Sequence, residues 1–137
     1  MNIVLDTNVL VSALLSPFHA PGRILDLLLT GKVRLVYDDR ILAEDRAVLL
    51  RPKFGFDRRS VEELLDECAK SGLPVAAPPL KLNLPDPTDT AFAEVAAAAE
   101  ASLVTGNGRH FPAEGCAGIT VLSPAAFLED WQQQSNK

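Results

Sequence analysis

Short apolar runs alternate with longer stretches of helical periodicity along this chain. Asn2 to Leu5 is an apolar run that stops abruptly at Asp6, as a buried strand of a parallel sheet does. Val9 to Leu15 has the length of a helix, with Thr7 or Asn8 placed to cap it. The run from Ser16 to Gly22, with Pro17 and Pro21, breaks the pattern. Arg23 to Leu29 resumes it as a second helix, closed by Gly31. Val33 to Tyr37 predicts a second strand, and Asp38-Asp39 opens a helix to about Leu50 that Arg51 to Gly55 terminates. A further helix is expected over Asp57 to Lys70, a third strand over Leu73 to Ala77, then a proline-rich loop. Asp86-Pro87-Thr88-Asp89 opens a helix to about Glu100. Leu103 to Thr105 and Ile119 to Leu122 complete the strands, and Pro124 to Trp131 the helices. Strands alternating with helices predict an α/β fold whose parallel sheet is covered on both faces. No repeat or linker interrupts the pattern, so residues 1–132 are read as one domain and 133–137 as a frayed tail.

Composition adds boundaries to that picture. The 137 residues suit one core, and 47% of them are apolar, enough to build it. Cys68 and Cys116 lack zinc-site spacing and are too few for a disulfide scaffold, which favours a reducing compartment. The start has no basic segment ahead of an apolar one, and no apolar run reaches membrane-spanning length. A cytoplasmic protein with no membrane partner is the expectation. The formal charge of −5 argues against loose electrostatic binding of nucleic acid but is silent about local distribution.

The chemistry gathers where strands end. In open parallel sheets, ligands bind at the carboxyl ends of the strands near a switch point. Asp6 follows the first strand, Asp38 and Asp39 the second, and Asn107 the fourth, while Asp86 and Asp89 open the helix leading into the fourth. Each also has a structural explanation. Asp6, Asp38 and Asp39 can cap helices, and Asp86 before Pro87 resembles an N-cap with proline at N1. Asp89 at N3 suits the helix dipole. The helical wheel separates the last two: Asp89 shares the sheet-facing side with Phe92, Ala96 and Ala99, whereas Asp86 turns towards solvent. In the helix after strand two, Asp45 lies within the apolar stripe and Glu44 on its edge, so periodicity alone selects Asp45. Two gathered carboxylates at about 4 Å repel by roughly 4 kcal/mol at an effective dielectric of 20. Such a group recruits a cation or a proton, and oxygen-only ligands favour Mg²⁺ or Mn²⁺ over zinc.

These motifs resemble those of PIN domains. Ile3-Val4-Leu5-Asp6-Thr7-Asn8-Val9-Leu10 is similar to the opening of that family. Ile41-Leu42-Ala43-Glu44 with Val48 to Phe54 resembles the second block of a toxin-like bacterial and archaeal subgroup, the VapC-like ribonucleases. Asp86 to Asp89, the alanine-rich helix and Leu103 to Asn107 resemble the third. The resemblance spans nearly the whole chain. It implies a three-layer α/β/α sandwich with a five-stranded parallel sheet, and Mg²⁺- or Mn²⁺-dependent cleavage of single-stranded RNA. It also implies a homodimer and, for a toxin of a toxin–antitoxin pair, an antitoxin partner. Carried over by position, it assigns Asp6, Glu44 and Asp89 as metal ligands, thereby choosing Glu44 over Asp45. Asp86 is an extra acid, and Thr7, Asn8 and Thr105 are supporting polar residues. The chain departs at the fourth position, where many members have an acid: here Asn107 stands, followed by His110.

The implied mechanism is metal-assisted hydrolysis of an RNA phosphodiester, with Asn107 orienting water or metal. Arg51 and Arg109 are the favoured phosphate contacts among Arg40, Arg46, Lys53, Arg58 and Arg59 as well. The departure at Asn107 motivates an alternative, a catalytically weak or inactive PIN-like module that binds RNA or protein. A phosphotransfer enzyme with Asp6 as nucleophile is a third class, but Asn8 occupies the place of its expected second acid. Leu14, Leu15, Phe18, Ile24 and Leu28 are read as core residues that could instead face a second subunit.

Overall fold

Ile3, Val4 and Leu5 are consecutive in the first strand, and all three are buried. Successive side chains of a strand point to opposite faces, so both faces of the sheet must be covered. The computed structural model describes residues 1–116 and 118–136. Its strands are β1 (Asn2–Leu5), β2 (Arg34–Tyr37), β3 (Leu73–Pro74), β4 (Ser102–Val104) and β5 (Val121–Leu122). The α-helices are α1 (Thr7–Leu15), α2 (Ala20–Leu29), α3 (Asp39–Leu49), α4 (Arg58–Ser71), α5 (Thr90–Ala99) and α6 (Pro124–Ser135). All strand pairs are parallel, in the order β3-β2-β1-β4-β5. The three-layer α/β/α sandwich with a five-stranded parallel sheet is therefore the fold observed. The core joins the central strands to Val9, Ile24, Ile41, Leu49, Leu65, Val95 and Phe127. No helix among the described residues is long and apolar enough to cross a membrane.

Several local expectations need correction. Helix α1 starts at Thr7, so neither Thr7 nor Asn8 caps it; Asp6 holds the N-cap position, but its side chain makes no capping bond. Helix α2 starts at Ala20 rather than Arg23, because Pro21 falls in the first turn, where a missing N–H is harmless. Gly22 permits the tight approach there: a Cβ at this position would sit 2.0 Å from the Pro17 carbonyl oxygen. Strand β3 ends at Pro74 rather than Ala77, although Val75 still donates its N–H to the Tyr37 carbonyl. Asp86 caps a 3₁₀ turn (Pro87–Asp89) by accepting from Thr88 N, and only from Thr90 is the helix α-helical. Helix α6 continues four residues beyond Trp131, through part of the segment read as a frayed tail; Lys137 lies outside the described residues. Of the five residues assigned to the core, Ile24 and Leu28 are buried, Leu14 is half-buried, and Leu15 and Phe18 are exposed, Phe18 almost completely.

One buried charge was not anticipated. Glu94 lies on α5, 4% exposed, and accepts from Arg40 Nη1 at 2.7 Å and from Leu80 N at 2.7 Å. Arg40 also pairs with Asp38, which caps α3 through Ile41 N. Arg40 thus ties α3 to α5 instead of standing free for RNA, and Glu94 anchors the proline-rich loop. Replacing Glu94 by Ala leaves the Leu80 N–H without its acceptor and Arg40 with Asp38 alone. A loss of about 1–3 kcal/mol is expected from urea denaturation, with Glu94→Gln losing less because its amide oxygen still accepts one of the two bonds.

Candidate functional site

The strand order reverses direction between β1 and β4, which is the switch point where parallel sheets hold ligands. Asp6 follows β1 directly, and Thr105 follows β4. Their side chains meet across the switch: Thr105 Oγ1 donates to Asp6 Oδ2 at 2.7 Å, and both residues are buried. Thr105 Oγ1 in turn accepts from Asn107 N at 3.0 Å, which sets the course of the following loop. The bond to Thr105 explains why Asp6 does not cap α1: its carboxylate is turned along the strand ends rather than back onto the helix.

A cleft of about 170 Å³ opens above Asp6. Asp6, Thr7, Asn8, Glu44, Asp86 and Asp89 all line it, together with Thr88, Arg51 and His110. Val48 and Phe92 supply apolar walls. Four carboxylates from three chain segments thus face one space. Thr105 sits behind Asp6, Asn107 reaches the cleft only through His110, and Arg109 is exposed outside it. The favoured pair of phosphate contacts is therefore divided, with Arg51 inside the cleft lining and Arg109 outside it. Arg46 and Arg59 are engaged by Glu62 and Glu63.

The two acids that periodicity and resemblance chose differently play different parts. Asp45 is 3% exposed, as its place in the apolar stripe predicts, and Glu44 is exposed along the cleft. Asp45 Oδ1 accepts from Thr7 Oγ1 at 2.7 Å, pinning α3 to the start of α1 directly beside Asp6. Burial pushes the Asp45 carboxyl up to about 7; the Thr7 bond opposes the shift, and the charges of Asp6 and Glu44 add to it. The sequence marked Asp45 as buried, but its tie to Thr7 needed the fold, because the partners are 38 residues apart.

Asp89 carries the strongest sign of an unfinished interaction. Its Oδ2 is buried with no hydrogen-bond partner. Burial, then the charges of Asp6 and Asp86, push its carboxyl up to about 6, against a lowering influence of His110. His110 Nδ1 stands 3.2 Å from that oxygen, and Asn107 Nδ2 lies 3.0 Å from His110 Nε2. Asp86 differs: bonds from Thr88 hold its carboxyl below the usual range, as expected of a cap. Among the described residues, no three His, Cys, Asp or Glu groups stand close enough to enclose an ion as a set. The donor chemistry nevertheless fits a hard divalent cation. The oxygens are carboxylates, burial and then their mutual repulsion raise Asp89, and one buried oxygen lacks a hydrogen-bond partner.

The chain is similar to known proteins along most of its length. A family model described as PIN domain matches residues 2–109. The uncharacterized protein MJ1680 of Methanocaldococcus jannaschii is 32% identical over 112 residues, covering 78% of this chain and 71% of that protein. Among solved structures, VapBC2 from Rickettsia felis, bound to a DNA fragment from their promoter, gives a TM-score of 0.61 at 18% identity. That match covers 90% of this chain and 98% of the other. FitAB bound to an IR36 DNA fragment also gives 0.61, at 25% identity, over 89% of this chain and 94% of the other.

The buried acids make stability depend on pH in a definite direction. A carboxyl whose folded pKa exceeds its unfolded value binds its proton more tightly when folded. Its protonation supports the fold below the unfolded value of 3.8, and that support is lost as pH rises through about 7 for Asp45. Unfolding free energy should therefore fall between pH 3.8 and about pH 7 and level off above. Asp45→Asn keeps an acceptor for Thr7 and should flatten that slope, gaining roughly 1–3 kcal/mol over wild type at pH 8. Parallel slopes in denaturant titrations of the two proteins would contradict this assignment.

Proposed function

The chain belongs to the PIN-domain family, whose members are generally nucleases, and on that premise we propose that it is a Mg²⁺- or Mn²⁺-dependent endoribonuclease acting on single-stranded RNA. The observation that carries this reading is the convergence of Asp6, Glu44, Asp86 and Asp89 on one cleft, with an unpartnered buried oxygen on Asp89. Asp6, Glu44 and Asp89 are the residues that would hold the ion. When bound, it would supply polarisation of water and stabilisation of charge on a phosphate undergoing displacement. The chain's own part is to fix those oxygens. Thr105 locks the orientation of Asp6, and the Thr7–Asp45 bond holds the helix that carries Glu44 against the strand end. Arg51 lines the same cleft and supplies the positive charge a phosphate backbone needs beside so many acids.

The likeness to VapBC2 and FitAB supports a role as the toxin of a toxin–antitoxin pair, with an antitoxin protein as partner. The exposed Leu15 and Phe18 support a protein-facing surface, in keeping with a homodimer or that partner. The spread of the carboxylates favours a second reading, a module that binds RNA or protein without cutting it.

The two readings part on activity. With Mn²⁺, the protein should cleave unstructured RNA, and Asp6→Asn or Asp89→Asn should each lower kcat by about 100-fold or more, a loss of about 2.7 kcal/mol in transition-state stabilisation. Arg51→Ala should raise KM about 3- to 10-fold and leave kcat nearly unchanged. RNA binding without any cleavage would favour the second reading, and cleavage unchanged in both aspartate variants would exclude the first.

A further inference from the structure

His110 is the one nitrogen donor among the side chains lining the acidic cleft that can serve as a metal ligand. The arginine there keeps its charge and has no lone pair to offer, and the Asn8 amide nitrogen is likewise no ligand. His110 Nδ1 lies 3.2 Å from Asp89 Oδ2, the buried oxygen without a hydrogen-bond partner. The two atoms are in close contact, and Asp89 Oδ2 has no hydrogen-bond partner. Neighbouring ligands of an octahedral ion with bonds of about 2.1 Å lie roughly 3 Å apart. The separation is thus also that of two donors directed at a shared third atom.

On the reading of the cleft as a cation site, we propose that His110 completes it as a nitrogen ligand and shifts its preference from Mg²⁺ to Mn²⁺. Asn107, standing three residues earlier, is the positioning residue for this ligand. It already touches His110 Nε2 at 3.0 Å. Turned by half a rotation, its amide presents Oδ1 to the Nε2–H, which fixes the tautomer that leaves Nδ1 bare towards the cleft. Metal-bound histidines are ordinarily held in this way, through the ring nitrogen that does not bind the metal. Asn107 and His110 together thereby replace a carboxylate. The consequence for selectivity is chemical. Mg²⁺ prefers an all-oxygen octahedron and gives up water reluctantly, whereas imidazole suits transition metals. The carboxylates keep the site hard, so relative to Mg²⁺ a mixed site of this kind favours Mn²⁺. The 3₁₀ turn Gly108–His110 lies on the loop that Thr105 ties to Asp6, so the imidazole is positioned from the same buried bond as the first acid.

The test is pulsed EPR on Mn²⁺ bound to the full chain, with calorimetry of Mn²⁺ and Mg²⁺ binding beside it. The wild type should show nitrogen modulation from one imidazole and bind Mn²⁺ at least about 10-fold more tightly than Mg²⁺. His110→Gln should abolish the modulation and weaken Mn²⁺ about 10-fold or more, with Mg²⁺ changed less than about 3-fold. Asn107→Leu should weaken Mn²⁺ about 10-fold, the usual effect of losing a group that orients a ligand. Bound Mn²⁺ that is lost in Asp89→Asn yet shows no nitrogen modulation in the wild type would overturn the role of His110 and leave the cation site standing. Failure of the wild type to bind Mn²⁺, or binding unaffected by Asp6→Asn and Asp89→Asn, would overturn the cation site and this inference with it.

Discussion

The bond from Thr105 Oγ1 to Asp6 Oδ2 joins two strand ends that are 99 residues apart in sequence, and the site is organised around it. Asp6 and Thr105 follow the two strands at which the sheet reverses its order, so the bond crosses the switch point itself. A buried carboxylate needs donors, and Thr105 supplies one from inside the protein. The other side of Asp6 is left for the cleft. Because Thr105 also accepts from Asn107 N, the same hydroxyl starts the loop that brings His110 over Asp89. One side chain thus relates the first acid, the third acid and the histidine.

The remaining acids are sorted by what the fold gives them. Asp38 and Asp57 each accept a backbone N–H and are consumed as caps. Asp86 caps the turn before α5 while still facing the cleft. Glu94 is spent on Arg40 and Leu80 N. Asp45 is spent on Thr7 and remains close enough to Asp6 and Glu44 for their two charges to add to the rise that burial gives its pKa. Asp89 keeps a buried oxygen without a hydrogen-bond partner, approached by His110 Nδ1 at 3.2 Å. This division lets a chain of net charge −5 concentrate unmet acidity at one place on its sheet edge.

The layered fold was legible because its strands are short apolar runs that end on polar residues, a pattern that leaves few alternatives. The wheel placed Asp89 beside the sheet-facing side of α5 and Asp45 in the buried stripe of α3, and both are found there. Element starts were less legible. The start of α2 ahead of Pro21 was hidden because a proline in a first turn looks, in sequence, like a break. The choice of Glu44 as the cleft acid came from family resemblance, since an exposed residue at the edge of a stripe carries no periodic signal. Glu94 was invisible because its partners, Arg40 and Leu80, are distant in sequence and a lone glutamate on an alanine-rich helix reads as solvent-facing. His110 could not be separated from an ordinary loop histidine until the loop's course over Asp89 was known. Cys68 and Cys116 are free and buried, consistent with their reading as thiols outside any disulfide scaffold.

These features make one central claim, that the acids at the β1/β4 switch point belong to a single cation site. Anomalous diffraction from crystals soaked in Mn²⁺ addresses it most directly. A peak bounded by Asp6, Glu44 and Asp89, with density continuous to His110, is the result this account predicts. Saturating Mn²⁺ with no peak in the cleft, or a peak held by acids elsewhere on the surface, would contradict it.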